Sequence, residues 1–208
     1  MTNADKQKLR SRLKSHERRL RKEKEEYGFY RDGTGKRYEL GPGYMLLGDD
    51  SGALESFRWF AREFPDDIGE PGHLLCWSLA LYRTGDQAGA TRKLRQTMLS
   101  NLYVLPHLSG KAIARLDIWH GSNWEEPDYL AVIPGAYWSL WTEGEREWAA
   151  NLYSSPEFTA VRERWIDIGR ALRTTPRGPE RSQLVWEMHE LRSGGSSRAI
   201  EGLNSPIR

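Results

Sequence analysis

The chain alternates between stretches of helical apolar periodicity and short clusters of Gly, Pro and Asp that interrupt them. Asp5 to Glu26 consists almost wholly of good helix formers and carries Leu9, Leu13 and Leu20 as its only large apolar side chains, on one narrow stripe. Asp32-Gly33-Thr34-Gly35 is turn chemistry, and without a Gly-Lys-Ser/Thr pairing or a preceding apolar strand it predicts a connector rather than a phosphate-cradling loop. Between Arg37 and Leu102 a helix-turn-helix pattern is written twice. Leu46-Leu47-Gly48-Asp49, Ala53, Phe57, Phe60 and Pro65 are echoed by Arg83-Thr84-Gly85-Asp86, Ala90, Leu94 and Thr97, with the two turn glycines about 37 residues apart. Proline inside a helix costs about 3 kcal/mol, so the first helix of the first hairpin is expected to begin near Pro42. Pro71 opens the second hairpin, whose helices are expected over His73 to Arg83 and Gln87 to Leu99.

Beyond Leu102 the pattern changes. Asn101 to Gly110 reads as a loop or broken helix, and Lys111 to Trp119 as a short helix. Thr142 and Glu145 have capping-box spacing, which predicts a helix over Glu143 to Leu152. Ser155-Pro156 is a second start signal, for a helix to about Leu172. Glu180 to Leu191 is the last predicted helix, and Ser193 to Arg208 reads as a flexible tail. The expected organisation is a basic helical arm (1–26), two helical hairpins (27–110), a Trp-rich helical extension (111–192) and a tail (193–208). The fold class is all-α.

The doubled segment resembles the tetratricopeptide repeat (TPR). Leu40, Gly41 and Tyr44, then Leu74, Trp77, Ser78 and Leu81, stand at that family's first-helix positions, and Ala53, Phe57, Phe60 with Pro65 at its second-helix positions. Phe60 departs from the pattern, which prefers alanine there, and Pro42 is a second departure. The resemblance implies a scaffold that holds other macromolecules, with first-helix residues lining a concave groove. The equivalent positions are Tyr38, Met45 and Leu46 in the first repeat and Leu75, Leu79, Tyr82 and Arg83 in the second. Members that clamp a C-terminal carboxylate carry Lys, Arg and Asn at such places; Glu39 and Cys76 stand here instead, which argues against a clamp.

Two repeats leave apolar faces that something must cover. The extension supplies Trp119, Trp124, Trp138, Trp141, Trp148 and Trp165, and filling of the groove by the chain's own aromatics is the expectation over a groove kept open for a peptide.

Composition narrows the function classes. The 208 residues carry a net charge of +2, too mild for nucleic-acid affinity as a whole-chain property. The charge is unevenly placed, however: Arg10, Arg12, Lys14, Arg18, Arg19, Arg21 and Lys22 crowd the arm. The single cysteine, Cys76, rules out an intramolecular disulfide and fits a reducing compartment, so the expected location is the cytoplasm. No apolar run reaches membrane-spanning length, and no membrane partner is expected.

Five scattered histidines show neither one-turn pairing nor an HExxH motif, so no metal or cofactor is called for. An acid/base cluster would require Asp117, His120 and Glu125 to converge. The expected function is therefore a non-enzymatic protein-protein interaction or adaptor module of TPR type, binding another protein or peptide. An RNA- or ribosome-associated protein using the basic arm is the alternative, and a small regulatory or immunity-type protein that neutralises one enzyme is the third.

Overall fold

A computed structural model describes residues 1–193. The expected tail lies outside those residues except for Ser193, which ends the last helix. Every regular element among the described residues is helical, and the protein is all-α.

The chain begins with α1 (Asn3–Tyr27), whose Thr2 N-cap and Asp5 close a reciprocal capping box. Its Leu9, Leu13 and Leu20 are buried against α2 (Lys36–Leu46), so this helix is a packed element. Gly43 of α2 makes the approach possible: a Cβ there would stand 2.5 Å from Leu13 Cδ2. Tyr44, Leu46 and Trp59 belong both to this cluster and to the main core, so the two are continuous.

Two hairpins follow, α2 with α3 (Asp50–Glu63) and α4 (Pro71–Arg83) with α5 (Gln87–Ser100). Their turns match bond for bond. Gly48 and Gly85 take the left-handed conformation, with φ of 76° and 87°. Asp49 N donates to Tyr44 O and Asp86 N to Leu81 O, both at 3.0 Å. The Asp49 and Asp86 carboxylates then cap the second helices, accepting from Gly52 N and Gly89 N at 2.8 Å each. Within the first hairpin the helices cross at Gly41, where an added Cβ would meet Phe57 Cζ at 2.5 Å.

Two expectations are corrected. The first concerns Pro42: α2 does not begin there but at Lys36, and the proline lies inside the helix. Proline has no N–H to give the carbonyl four residues back, which is that of Tyr38. That carbonyl is instead bonded to His73 Nδ1, at 3.1 Å, from the second hairpin. Glycine before the proline, Gly41, also relieves the steric conflict that a proline imposes on its predecessor.

The second correction concerns Lys111 to Trp119, which is not a short helix but an extended strap. Its backbone bonds sideways: Leu116 N donates to Tyr103 Oη at 2.8 Å, and Trp119 N to the carbonyl of Gly169 at 2.8 Å. Gly169 lies in α9 (Pro156–Thr174), and lacking a Cβ it admits Ile118 to within 3.0 Å of where one would sit. Partners this distant in sequence outweigh local helix propensity.

The remainder closes the core. The short α6 (Val104–Leu108) and α7 (Gly135–Trp138) flank two 3-10 turns, Asn123–Glu125 and Pro127–Ala131. The Thr142–Glu145 capping box opens α8 (Glu143–Tyr153), Ser155 caps α9, and α10 (Pro179–Ser193) packs back on α9 and α5. Phe158, Trp165, Ile168 and Leu172 of α9 are buried in the same core as Leu94 and Met98 of α5.

Candidate functional site

The positions expected to line a concave groove are met by the chain's own extension. Leu75 and Leu79 are fully buried, Met45 nearly so, and Leu46 partly. Tyr38 is met edge-on by Trp124, ring centroids 5.7 Å apart, and its hydroxyl donates to Asp67 at 2.7 Å. Burial and that carboxylate hold the phenol well above its ordinary pKa. Tyr82 packs on Trp148 with centroids at 4.4 Å. Arg83 makes a fork to Glu145, at 2.7 and 3.1 Å, and donates to the carbonyl of Leu140 at 2.6 Å. Hydrogen bonding to Glu145 raises the Arg83 pKa further and fixes the guanidinium in its charged form. Tyr38, Tyr82 and Arg83 are thus each engaged by a side chain of the extension, from Trp124, Trp148 and Glu145.

The arm residues are sorted by packing. Three of the acidic groups of α1 are engaged in hydrogen bonds: Asp5 in the N-terminal cap, Glu17 as acceptor for Tyr44 Oη at 2.6 Å, and Glu23 as acceptor for Arg19 Nε and Arg31 N, both at 3.1 Å. Arg12 lies 3.7 Å from Glu39. Arg10, Lys14, Arg18, Arg21 and Lys22 are all exposed, and none of them has a carboxylate at ion-pair distance among the described residues. With Leu9, Leu13 and Leu20 facing α2, helical geometry puts these five on a common outward arc, about 18 Å long from Arg10 to Lys22. Exposed Glu25 and Glu26 bound the arc at its C-terminal end.

The loop residues do not converge into an acid/base cluster. Asp117 is exposed and pairs with Arg173, and Glu125 is turned to Arg192 at 3.2 Å and to Gly121 N at 2.8 Å. His120 Nδ1 lies instead 3.2 Å from Glu126. Among the described residues no three His, Cys, Asp or Glu side chains gather as a metal site would require. Cys76 is fully buried, and burial pushes its thiol well above the ordinary value. No helix among the described residues is long and apolar enough to cross a membrane.

His73 is a structural centre that its place in the sequence does not announce. It is fully buried among Tyr38, Phe57, Phe60 and Trp77, with ring centroids 4.6 to 5.9 Å away. Burial lowers its pKa to about 4, so at neutral pH it is uncharged and its Nδ1–H serves Tyr38 O. Nε2 has no partner. The signal that points to it is Pro42, whose missing donor implies a carbonyl in need of one.

Below this region a second feature opens, a cleft of about 390 Å³ with Ile68, Trp119, Trp124, Trp165 and Met188 in its walls. The Arg192–Glu125 pair also lines it. No protein-family model, curated protein or solved structure matches the chain.

Proposed function

We propose that this protein is a non-enzymatic interaction module of TPR type, acting in the cytoplasm, whose hairpins serve as scaffold and whose working surface is the outward cationic face of α1. The partner is another protein presenting an acidic surface. The carrying observation is the sorting of charge along α1: Asp5, Glu17 and Glu23 are engaged in hydrogen bonds, Glu25 and Glu26 lie at the C-terminal end, and Arg10, Lys14, Arg18, Arg21 and Lys22 stay exposed on one arc. The helix beneath is held rigid by three buried leucines, so little order need be gained on binding.

A protein partner is favoured over nucleic acid for two reasons. The cationic arc is short and bounded by Glu25 and Glu26, which oppose a phosphate backbone running on along the helix. No aromatic ring lies among the arc's residues to stack on bases. An acidic helix with carboxylates at one-turn spacing matches an arc of this length.

The test is a chain in which Arg10, Lys14, Arg18, Arg21 and Lys22 are all changed to Gln, leaving the buried stripe intact. Proteins recovered on the tagged native chain from its own cells are compared with those on this variant and on a control neutralising Arg170, Arg173 and Arg177. The reading requires an acidic protein that is lost only from the α1 variant and that binds the purified native chain, more weakly as salt rises. Tighter, salt-dependent binding of a 16-base-pair RNA duplex than of that protein would favour the nucleic-acid alternative. Equal recovery on all three chains would sink the arm as working surface.

A further inference from the structure

The second helices of the two hairpins, α3 and α5, do not close against each other along their whole length. Between them lies a cleft of about 380 Å³. Leu54 and Arg58 line it from α3, one turn apart, and Trp77 and Leu81 of α4 supply apolar surface. From α5 come Arg92 and Lys93, and Arg192 of α10 contributes at one end.

The charge of this cleft is one-sided. Among the described residues Asp86 is the only carboxylate in its lining, and that group is engaged in capping α5 through Gly89 N. Arg95 lies 3.9 Å from Glu157 of α9, and Arg192 pairs with Glu125. Arg58, Arg92 and Lys93 are left with no carboxylate at ion-pair distance among the described residues. Lys93 is the unusual member. Its ammonium sits 3.6 Å above the centre of the Trp77 ring, which is itself stacked with the Phe57 ring at 5.3 Å. A cation over an aromatic face is favourable, but it does not neutralise the charge. Burial, with Arg92 beside it, lowers the Lys93 pKa to about 8. A largely buried ammonium with Arg92 beside it is the arrangement that an anion relieves.

We propose that the cleft between α3 and α5 binds a phosphate monoester with a small apolar body, the phosphate held by Arg58, Arg92 and Lys93 and the body laid on Leu54 and Leu81. Two guanidinium forks and an ammonium suit the several oxygens of a dianion better than a single carboxylate, and the aliphatic floor gives affinity that inorganic phosphate lacks. The volume is of the size that small-ligand sites occupy.

The proposal predicts a pH dependence with a definite sign. The monoester is fully dianionic above its second pKa of about 6. The charged groups that line the cleft with Lys93 are Arg58 of α3, Arg92 and Arg95 of α5, Asp86 at the cap of α5 and Arg192 of α10, and the buried His73 of α4, its pKa lowered to about 4, is neutral throughout this range. Lys93 loses its charge as pH passes about 8, and affinity should fall with it.

Calorimetric titration of the full chain with phenyl phosphate is the test, with inorganic phosphate, benzoate and benzyl alcohol as comparison probes. Phenyl phosphate should bind about tenfold or more tighter than each of the three, since one good charge-assisted contact is worth that factor. Binding should be lost in Arg92→Gln/Lys93→Gln. In the native chain it should weaken about tenfold between pH 7 and pH 10, the equivalent of one pKa unit. Lys93→Arg should bind at pH 7 and keep its affinity at pH 10, which separates loss of charge at this position from a general effect of pH. Helical circular dichroism of each variant confirms that it is folded. The proposal is overturned if benzoate or benzyl alcohol matches phenyl phosphate, if inorganic phosphate does so, or if the double variant binds as the native chain does.

Discussion

The two hairpins share a turn and differ in how their backbones and crossings are completed. Gly48-Asp49 and Gly85-Asp86 make the same left-handed step and the same carboxylate cap, so each hairpin carries its own local instructions. The first, however, has a proline in its leading helix and a glycine where its two helices cross. The second has Ser78 at the corresponding crossing position, buried with its hydroxyl bonded to Leu75 O at 2.8 Å. Only the first hairpin therefore depends on the other for a backbone hydrogen bond, through His73 Nδ1 and Tyr38 O. Similar hairpins need not be interchangeable units, because one can hold the part that the other lacks.

The sharpest way to break this comparison is to charge His73. Its folded pKa is lowered to about 4, whereas the unfolded chain takes up the proton near 6.5. The stabilisation from keeping it neutral is therefore complete above about pH 6.5 and is lost as pH falls from there towards 4. Two and a half pKa units correspond to about 3 kcal/mol as an upper bound. Urea unfolding at pH 7 and at pH 4.5 should show the native chain losing much of this, while His73→Gln, which cannot charge, loses distinctly less. Parallel loss in both chains would mean that the link between the hairpins is not the acid-sensitive element.

Much of the fold was legible because its signals are local. The turns, Pro71 at the start of α4, the Thr142–Glu145 box and Ser155 before α9 all act within one helical turn of the residues they fix. What was not legible depended on distant partners. Pro42 read as a helix start because its compensation comes from His73 of the second hairpin, 35 positions from the Tyr38 carbonyl it serves. The strap from Lys111 read as a helix because Tyr103 and Gly169, which hold it extended, are not its neighbours in the chain. The candidate surfaces divide in the same way. The cationic arm was visible as composition, but the engagement of Glu17 and Glu23 in hydrogen bonds was not, and Arg58 and Lys93 line one cleft only when α3 and α5 are brought together.

A smaller effect tests the crossing. Gly41→Ser gives the first hairpin the residue that the second one uses, but its Cβ collides with the fully buried Phe57 ring. Overpacking of this kind costs about 1–3 kcal/mol. The second hairpin has Leu94 where the first has Phe57, and Phe57→Leu should make room for the serine. The double variant should be more stable than the sum of the two single losses implies, with a coupling of about 0.5–3 kcal/mol by thermal unfolding. Strict additivity would show that the glycine is not there for the ring.

The smallest effect separates what the two turns share from what only one of them does. Asp49→Ala and Asp86→Ala remove the same bond, 2.8 Å long in both hairpins, and each should cost about 1 kcal/mol. Asparagine caps as well as aspartate, so Asp49→Asn and Asp86→Asn should leave the unfolding midpoint almost unchanged. Asp86, unlike Asp49, also lines the cleft between α3 and α5, where among the described residues it is the one carboxylate opposing an anion. Asp86→Asn should therefore tighten phenyl phosphate binding severalfold at low salt, through the loss of one repulsive charge at partly screened range. Asp49→Asn should not alter it. Equal affinities for the two variants would mean that the cleft does not sense its own charge, and the hairpins would then be as alike in chemistry as they are in their turns.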